Sequence, residues 1–258
     1  MSSHSLHSIA ASDSELQERR ERVFLALAGV FLCAMTLLNV IGITRFVQIG
    51  PLQVAVGVLA YPLTFLCTDL ISELYGRARA NFLVTVGLFL NGFILLVMTL
   101  ANTLPAIDPS VQPPWQTLSL AEPVGLPDGS QVKGDVALFG LMYAMTTGAI
   151  FASMFAYVTA QYVDVYVFHF LKKKTDGKHL WLRNNASTLV SQLVDSVAVV
   201  SITFGAVFLA GGMSGAEILV LLLSNYAFKM LSALLDTPII YFAVARLRPY
   251  LGLTEEHR

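Results

Sequence analysis

The sequence predicts an all-α membrane protein with six transmembrane helices, and three observations support this fold class. Of the 258 residues, 55% are hydrophobic and only 13% are charged, whereas about a quarter of the residues in an ordinary soluble domain are charged. The mean hydropathy is +0.67. Six apolar segments are long enough to span a bilayer, and the basic residues concentrate in alternate connections. A soluble protein of this size needs a polar surface, and this chain has too few charged residues to form one.

Each predicted span holds about twenty mostly apolar residues, which is the length that crosses a hydrocarbon core of about 30 Å. The apolar pattern of the fourth span continues from Val136 to Leu171, and a helix of that length measures about 54 Å. We therefore expect this helix either to project into the cytoplasm or to break near residues 161–164. The six spans begin or lie at residues 23–43, 51–75, 81–101, 136 onwards, 185–209 and 216–242.

Polar segments flank and interrupt these spans. Residues 1–22 lack the apolar core of a signal peptide and are predicted to be a disordered cytoplasmic tail, and residues 246–258 are predicted to form a second cytoplasmic tail. Residues 23–245 form the six-helix transmembrane domain. Within it, residues 102–133 contain six of the ten prolines. This segment is predicted to be an irregular extracytoplasmic loop, either a cap over one mouth or a plain connector.

The distribution of basic residues predicts the orientation. Thirteen of the sixteen Lys and Arg residues lie in the two tails or in the second and fourth connections. Only Arg45 and Lys133 lie on the opposite side, and Lys229 lies inside the sixth span. Because cytoplasmic loops are enriched in Lys and Arg, both termini are predicted to be cytoplasmic. The net charge of -1 gives no reason to expect a nucleic-acid partner.

Polar side chains inside the spans are the candidate functional residues. A charged side chain at mid-helix costs about 2.5–3.5 kcal/mol on insertion scales, so each one requires an explanation. A single buried pair is easily structural, whereas a set spread over four helices indicates a cavity or pathway. The set comprises Asp69 and Glu73 on helix two, Gln161 and Asp164 on helix four, Gln192 and Asp195 on helix five, and Asn225, Lys229 and Asp236 on helix six.

Structural roles stay open for several of these residues. Glu73 could pair with Arg77 at the water boundary, and Asp164 could lie beyond the bilayer. Lys229 and Asp195 could form an ion pair that only fixes the packing of helices five and six. At the start of helix five, Arg183 and Asn184 are either an inner gate or a boundary anchor with an N-cap.

The sequence contains none of the motifs that would indicate an enzyme. It lacks an HExxH helix, a GxSxG elbow and a Walker phosphate loop, so we expect neither catalytic activity nor a cofactor. Cys33 and Cys67 have no second ligand at metal-binding spacing. Any transport by this chain would draw its energy from gradients, from downstream trapping or from another subunit.

Four polar strings fall in and between these spans: YPLTFLCTDLISELYG at 61–76, QYVDVYVF at 161–168, WLRNNAST at 181–188 and SQLVDS at 191–196. Their order and spacing resemble the signature of the queuosine precursor transporter family, also called the vitamin uptake transporter family. The long proline-rich loop departs from the pattern of that family. The resemblance covers most of the chain.

The resemblance implies import of 7-cyano- or 7-aminomethyl-7-deazaguanine across the bacterial inner membrane for tRNA queuosine salvage. It also implies a fold similar to that of the substrate-binding subunits of energy-coupling-factor transporters. The implied partners are the deazaguanine and membrane lipid, and a homo-oligomer stays open. We expect substrate contacts from Asp69, Glu73, Gln161, Asp164, Gln192 and Asp195, and gating or charge balance from Arg183, Asn184, Asn225, Lys229 and Asp236.

Two alternative functions remain open. The chain could be a vitamin-binding subunit that requires an ATP-driven partner complex, in which case uptake would be lost without ATPase activity. It could also be a non-transporting membrane protein whose polar network only specifies helix packing. The second alternative predicts that Lys229 and Asp195 can be replaced together by apolar residues without loss of function.

Overall fold

The computed structural model describes residues 13–108, 110–176 and 180–253; within these ranges, the side chains of residues 77, 161, 164, 165, 168, 172 and 180–185 lie outside the description. Six helices in these ranges are long and apolar enough to cross a membrane, which confirms the predicted fold class. They are α1 (Asp13–Val40), α2 (Tyr61–Tyr75), α3 (Arg77–Thr103), α4 (Leu138–Lys174), α5 (Leu180–Leu209) and α6 (Gly215–Tyr250).

Helix α1 begins at Asp13, ten residues before the predicted start at Val23. The prediction of a disordered tail over residues 1–22 is therefore wrong for residues 13–22, and residues 1–12 lie outside the described ranges. The acidic residues Asp13 and Glu15 in the first turn favour a helix start. Pairs four residues apart, such as Arg22 Nη2 with Glu18 Oε1 at 2.5 Å, support the polar turns that follow.

Helix two begins at Tyr61 and not at Pro51 as predicted, because a small hairpin and a 3-10 turn occupy the residues before it. Strands β1 (Phe46–Ile49) and β2 (Leu52–Ala55) pair antiparallel around Gly50, which has a φ of +58°. A 3-10 turn over Val56–Ala60 then leads into α2. The sequence Gly50-Pro51 favours this turn over a helix start.

The 3-10 turn packs against the end of α1 at a point where only glycine fits. The amide N–H of Gly57 donates to the carbonyl oxygen of Gly42 at 3.0 Å. A Cβ atom on Gly57 would lie 2.4 Å from the carbonyl oxygen of Leu38 and 2.7 Å from the Cα of Gly42. This close approach fixes where α2 starts relative to α1.

The proline-rich segment also departs from the prediction. Strands β3 (Thr117–Gly125) and β4 (Gln131–Ala137) form an antiparallel hairpin, so the expectation of an irregular loop is wrong for residues 117–133. The tight turn contains Asp128-Gly129, a dipeptide typical of hairpins, and Gly129 has a φ of +84°. The β1–β2 hairpin follows α1 and the β3–β4 hairpin follows α3, so both lie at the end of the bundle opposite the start of α1. We call this end the hairpin end of the bundle.

Helix α4 is continuous over 37 residues, about 55 Å, so it does not break near residues 161–164. A helix of this length exceeds the hydrocarbon core of a bilayer, which is about 30 Å thick. Small residues on one face, including the fully buried Ala152 and Ala156, let neighbouring helices approach closely. Among the described helices, α4 and α5 form the most extensive pair.

The first and last helices meet at the other end of the bundle, which we call the terminal end. Arg20 donates from Nε to the carbonyl oxygen of Leu251 at 2.9 Å and from Nη2 to that of Gly252 at 3.2 Å. The start of α1 and the end of α6 therefore lie on the same side, as six spans require. The cytoplasmic location of this end stays a prediction.

Candidate functional site

A cavity of about 400 Å³ lies between helices α1 to α5. This volume is within the range of about 300–1,000 Å³ that is typical of small-molecule sites. The cavity reaches Ser72 and Asn81, which flank the α2–α3 connection at the terminal end. Its polar lining residues are Asn39, Thr64, Thr68, Asp69, Ser72, Asn81, Asn91, Ser153, Tyr61, Tyr157, Thr188, Ser191, Gln192 and Asp195.

Asp69 presents a carboxylate to this cavity from α2. Its neighbours Leu70 and Ile71 are buried in the protein, with 4% and 0% of their surface exposed, whereas Asp69 itself is exposed because it faces open space. No cation among the described side chains forms a salt bridge with it. An uncompensated carboxylate within a membrane span is unfavourable unless a ligand or water meets it.

Asn39 of α1 and Asn91 of α3 form a buried amide pair in the cavity wall. Each is 1% exposed, and Asn39 Nδ2 donates to Asn91 Oδ1 and to the Met35 carbonyl oxygen, both at 3.1 Å. Asn39 Oδ1 and Asn91 Nδ2 are left without a partner among the described residues. A buried polar group without a partner costs about 1–3 kcal/mol, so the pair is suited to bind a polar ligand.

Helix α5 contributes Gln192 and Asp195, which lie one turn apart on the same face. Gln192 Oε1 is buried and has no partner within the described part of the chain. Asp195, which is 9% exposed, accepts a hydrogen bond from Lys229 Nζ of α6. Lys229 is fully buried, so its charge compensates that of Asp195 from behind the cavity wall.

Aromatic rings form part of the same wall. The rings of Tyr61 and Phe65 pack at a tilt, with centroids 5.4 Å apart, and both line the cavity together with Phe31 and Tyr157. Lys229 Nζ lies 4.6 Å from the centroid of the Tyr61 ring, which is a favourable cation–π distance. The cavity thus combines flat apolar faces with a carboxylate and unpartnered amides.

Three of the six predicted substrate-contact residues line the cavity: Asp69, Gln192 and Asp195. Glu73 does not, because Arg248 Nη2 of α6 lies 2.5 Å from its Oε1 at a half-exposed position. Glu73 therefore forms an ion pair with Arg248. The sequence had suggested Arg77 as its partner, and the side chain of Arg77 lies outside the description.

The predicted junction of helices two, four, five and six is only partly correct. Helices α2, α4 and α5 line the cavity, but so do α1 and α3, and no described residue of α6 does. Lys229 of α6 contacts two residues of the cavity lining, Asp195 and Tyr61. Asn39 and Asn91 escaped prediction although an amide inside an apolar span is the same kind of signal as Gln192.

The remaining predicted residues lie elsewhere or outside the description. The side chains of Gln161, Asp164, Arg183 and Asn184 lie outside the description; the backbone places the first two within α4. Because α5 begins at Leu180, Asn184 lies inside the helix and cannot be its N-cap. On α6, Asn225 and Asp236 are 7% and 5% exposed, and one oxygen of each has no partner among the described residues.

Comparisons with known proteins agree with this architecture. The family model described as "Putative vitamin uptake transporter" matches residues 55–243, well over half of the chain. A protein of Bacillus subtilis (strain 168) named "Probable queuosine precursor transporter" is 28% identical over 202 residues, which cover 78% of this chain and 76% of the relative. No solved structure matches the chain, so similarity to energy-coupling-factor subunits stays a prediction.

The family match covers α2 to α5 and most of α6, and therefore contains every cavity residue except those of α1. Together with six helices able to cross a membrane, it makes this protein a multi-pass protein of the bacterial inner membrane. The chain belongs to the vitamin uptake transporter family.

Proposed function

We propose that this transporter imports 7-deazaguanine precursors of queuosine, in the 7-cyano or 7-aminomethyl form, for tRNA queuosine salvage. The observation that carries the proposal is a single cavity that combines the Asp69 carboxylate, unpartnered amide groups and aromatic rings. Similarity to the Bacillus subtilis protein supports the choice of substrate. A transporter role also accords with the absence of known catalytic motifs from the sequence.

The chemistry of the cavity is complementary to a deazaguanine. The base presents a ring N–H and an exocyclic amine side by side, and a carboxylate can accept both in a two-point contact. Asp69 is our candidate for this edge because Asp195 already accepts from Lys229. Asn91 Nδ2, which has no partner among the described residues, can donate to the ring carbonyl, and Gln192 Oε1 can accept from a further N–H of the base. Tyr61 and Phe65 offer faces on which the bicyclic ring can stack.

The proposed inward direction of transport is compatible with the predicted orientation. With the terminal end in the cytoplasm, the main cavity is nearest the cytoplasmic side, because it reaches Ser72 and Asn81 at that end. The structure would then correspond to a state from which substrate leaves toward the cytoplasm. Both hairpins would face the opposite compartment, where substrate enters.

Uptake of labelled precursor by cells that cannot synthesise it is the direct test. We expect the chain to restore uptake, and we expect Asp69→Asn to weaken binding of 7-cyano-7-deazaguanine by the purified protein about 100-fold, the loss of roughly 3 kcal/mol for charge-assisted hydrogen bonds. Glu73→Gln, one turn away but outside the cavity, is the control and should bind normally. Unchanged binding by Asp69→Asn would exclude the proposed recognition of the purine edge.

Reconstitution separates the proposal from the rival ATP-driven subunit. Purified protein in liposomes should take up the precursor without any other subunit. Uptake that appears only when an ATPase complex is added would assign the chain to the rival class. Binding of guanine as tightly as the 7-substituted bases would show that the substrate is a general purine.

A further inference from the structure

A second, smaller chamber of about 70 Å³ lies on the hairpin side of the main cavity. Its walls include Phe46 and Gln53 from the β1–β2 hairpin, together with Thr203 of α5 and Asn225 of α6. The two volumes share three wall residues, Leu38, Tyr61 and Ser153. These three residues therefore form a partition between the two volumes.

The two volumes lie one after the other along α2. The main cavity reaches the α2–α3 connection at the terminal end, whereas the second chamber reaches the β1–β2 hairpin at the hairpin end. A polar cavity that is aligned with a chamber at the opposite end has the layout of a continuous passage with an internal closure.

Asn225 distinguishes the chamber from a packing defect. Asn225 is 7% exposed, and its Oδ1 has no partner among the described residues. Empty defects in proteins are lined by apolar groups, whereas a buried polar group is nearly always satisfied by protein, water or ligand. The chamber is therefore lined by a residue with a hydrogen-bond acceptor that is unmet within the described part of the chain.

Tyr61 is the central element of the partition. It is the first residue of α2, directly after the 3-10 turn, so its backbone lies at a junction between two kinds of helix. Its ring packs at a tilt against the Phe65 ring and lies 4.6 Å from the Lys229 ammonium. Both contacts depend on ring orientation and can be broken without unfolding a helix.

We propose that the two volumes are successive stations of one passage, that Tyr61 closes the passage between them, and that Asn225 is the polar contact of the second station. This inference rests on the proposed transport function, whose route it names, and the ligand of the second station is the same purine-like base. The chamber of about 70 Å³ is well below the size of small-molecule sites, so the structure holds this station closed.

The β1–β2 hairpin forms the outer cover of the second station. The amide N–H of Gln53 donates to Ser224 Oγ of α6 at 3.1 Å, one residue before Asn225. The Phe46 ring packs against Phe204 of α5 with centroids 5.8 Å apart. Opening toward the hairpin end requires these contacts to separate, whereas opening toward the terminal end requires the partition at Tyr61 to move.

Thiol labelling tests the partition without any substrate. In a background with Cys33 and Cys67 replaced by alanine, Asn225→Cys is exposed to a charged, membrane-impermeant methanethiosulfonate applied from the terminal end in oriented vesicles. We expect slow labelling while Tyr61 is present and labelling at least tenfold faster with Tyr61→Ala. Tyr61→Phe keeps the ring and should label slowly, as should Leu63→Ala, a control on the outer face of α2 (47% exposed).

A second variant guards against misfolding of Tyr61→Ala. Leu38→Ala thins the same partition from α1 and should also accelerate labelling. Equal labelling rates in all these variants, whether fast or slow, would refute the partition. If labelling responds as expected but 7-cyano-7-deazaguanine fails to bind, the passage stands and the proposed substrate falls. If the base binds and labelling does not respond, the passage alone falls.

Discussion

Lys229 of α6 and Asp195 of α5 form an ion pair at the back of the cavity, with the lysine fully buried and the aspartate 9% exposed. Taking two charges out of water is unfavourable, and their attraction offsets that cost only when both are present. The Tyr61 ring, 4.6 Å from the ammonium, adds a third interaction. The pair thereby links two helices and one wall of the site.

Removal of one member of this pair should be far worse than removal of both. We expect Lys229→Met to lower the free energy of unfolding by about 3–5 kcal/mol, because Asp195 is left buried and uncompensated. The double variant Lys229→Met/Asp195→Leu should unfold within about 1 kcal/mol of the natural protein. Thermal unfolding in detergent measures both. Normal uptake by the double variant would assign the pair a purely structural role.

Replacing the Asn39–Asn91 amide pair in the cavity wall should weaken ligand binding without lowering stability. Asn39→Leu/Asn91→Leu removes two unpartnered polar groups and fills their volume with apolar atoms, so the unfolding temperature should stay equal or rise. Affinity for the deazaguanine should fall roughly tenfold, the loss of about one net hydrogen bond. Calorimetric titration of the purified variant checks the affinity. A drop in stability with unchanged affinity would contradict a ligand-binding role.

The contact between the 3-10 turn and α1 should tolerate no side chain at Gly57. A Cβ atom there would meet backbone atoms at 2.4 and 2.7 Å, so Gly57→Ala should destabilise the protein by about 1–3 kcal/mol or more. Gly92→Ala on α3 is the matched control, because nothing lies within 4 Å of its added Cβ, and it should be neutral or slightly stabilising. Equal unfolding temperatures for the two variants would show that the turn moves freely.

The Glu73–Arg248 pair should contribute little to stability. Its side chains are 52% and 27% exposed, and ion pairs at such positions contribute about 0–1 kcal/mol. Glu73→Gln and Arg248→Gln should each change the free energy of unfolding by less than about 1 kcal/mol, and by still less in high salt. Unfolding of both variants at two salt concentrations measures this. A larger loss would indicate a role in closing the terminal end.

The number of membrane spans was predictable from the sequence because lipid imposes one simple requirement. A helix surface in contact with hydrocarbon must be apolar over about twenty residues, and composition alone records that. The same reasoning pointed to Asp69, Gln192 and Asp195, since a polar group in such a helix must face away from lipid. These three residues do line one cavity.

The parts that were missed depend on contacts between distant segments. Asn39 and Asn91 meet across two helices separated by 52 residues in sequence, and an apolar average over each span hides a single amide. The partner of Glu73 proved to be Arg248, 175 residues away, whereas the sequence suggested only a local pair. In the proline-rich segment, the six prolines predict an irregular loop, whereas the Asp128-Gly129 turn allows the β3–β4 hairpin to form.

The hydrogen bonds from Arg20 to the end of α6 have a consequence for the order in which this protein matures. Arg20 and Leu251 are 231 residues apart, and at synthesis rates of about 5–20 residues per second the second partner emerges roughly ten to fifty seconds after the first. During that interval the guanidinium of Arg20 must be hydrated or held by lipid headgroups. Its capture by the Leu251 and Gly252 carbonyls is therefore among the last events of biogenesis, and marks a bundle whose six helices have all been inserted.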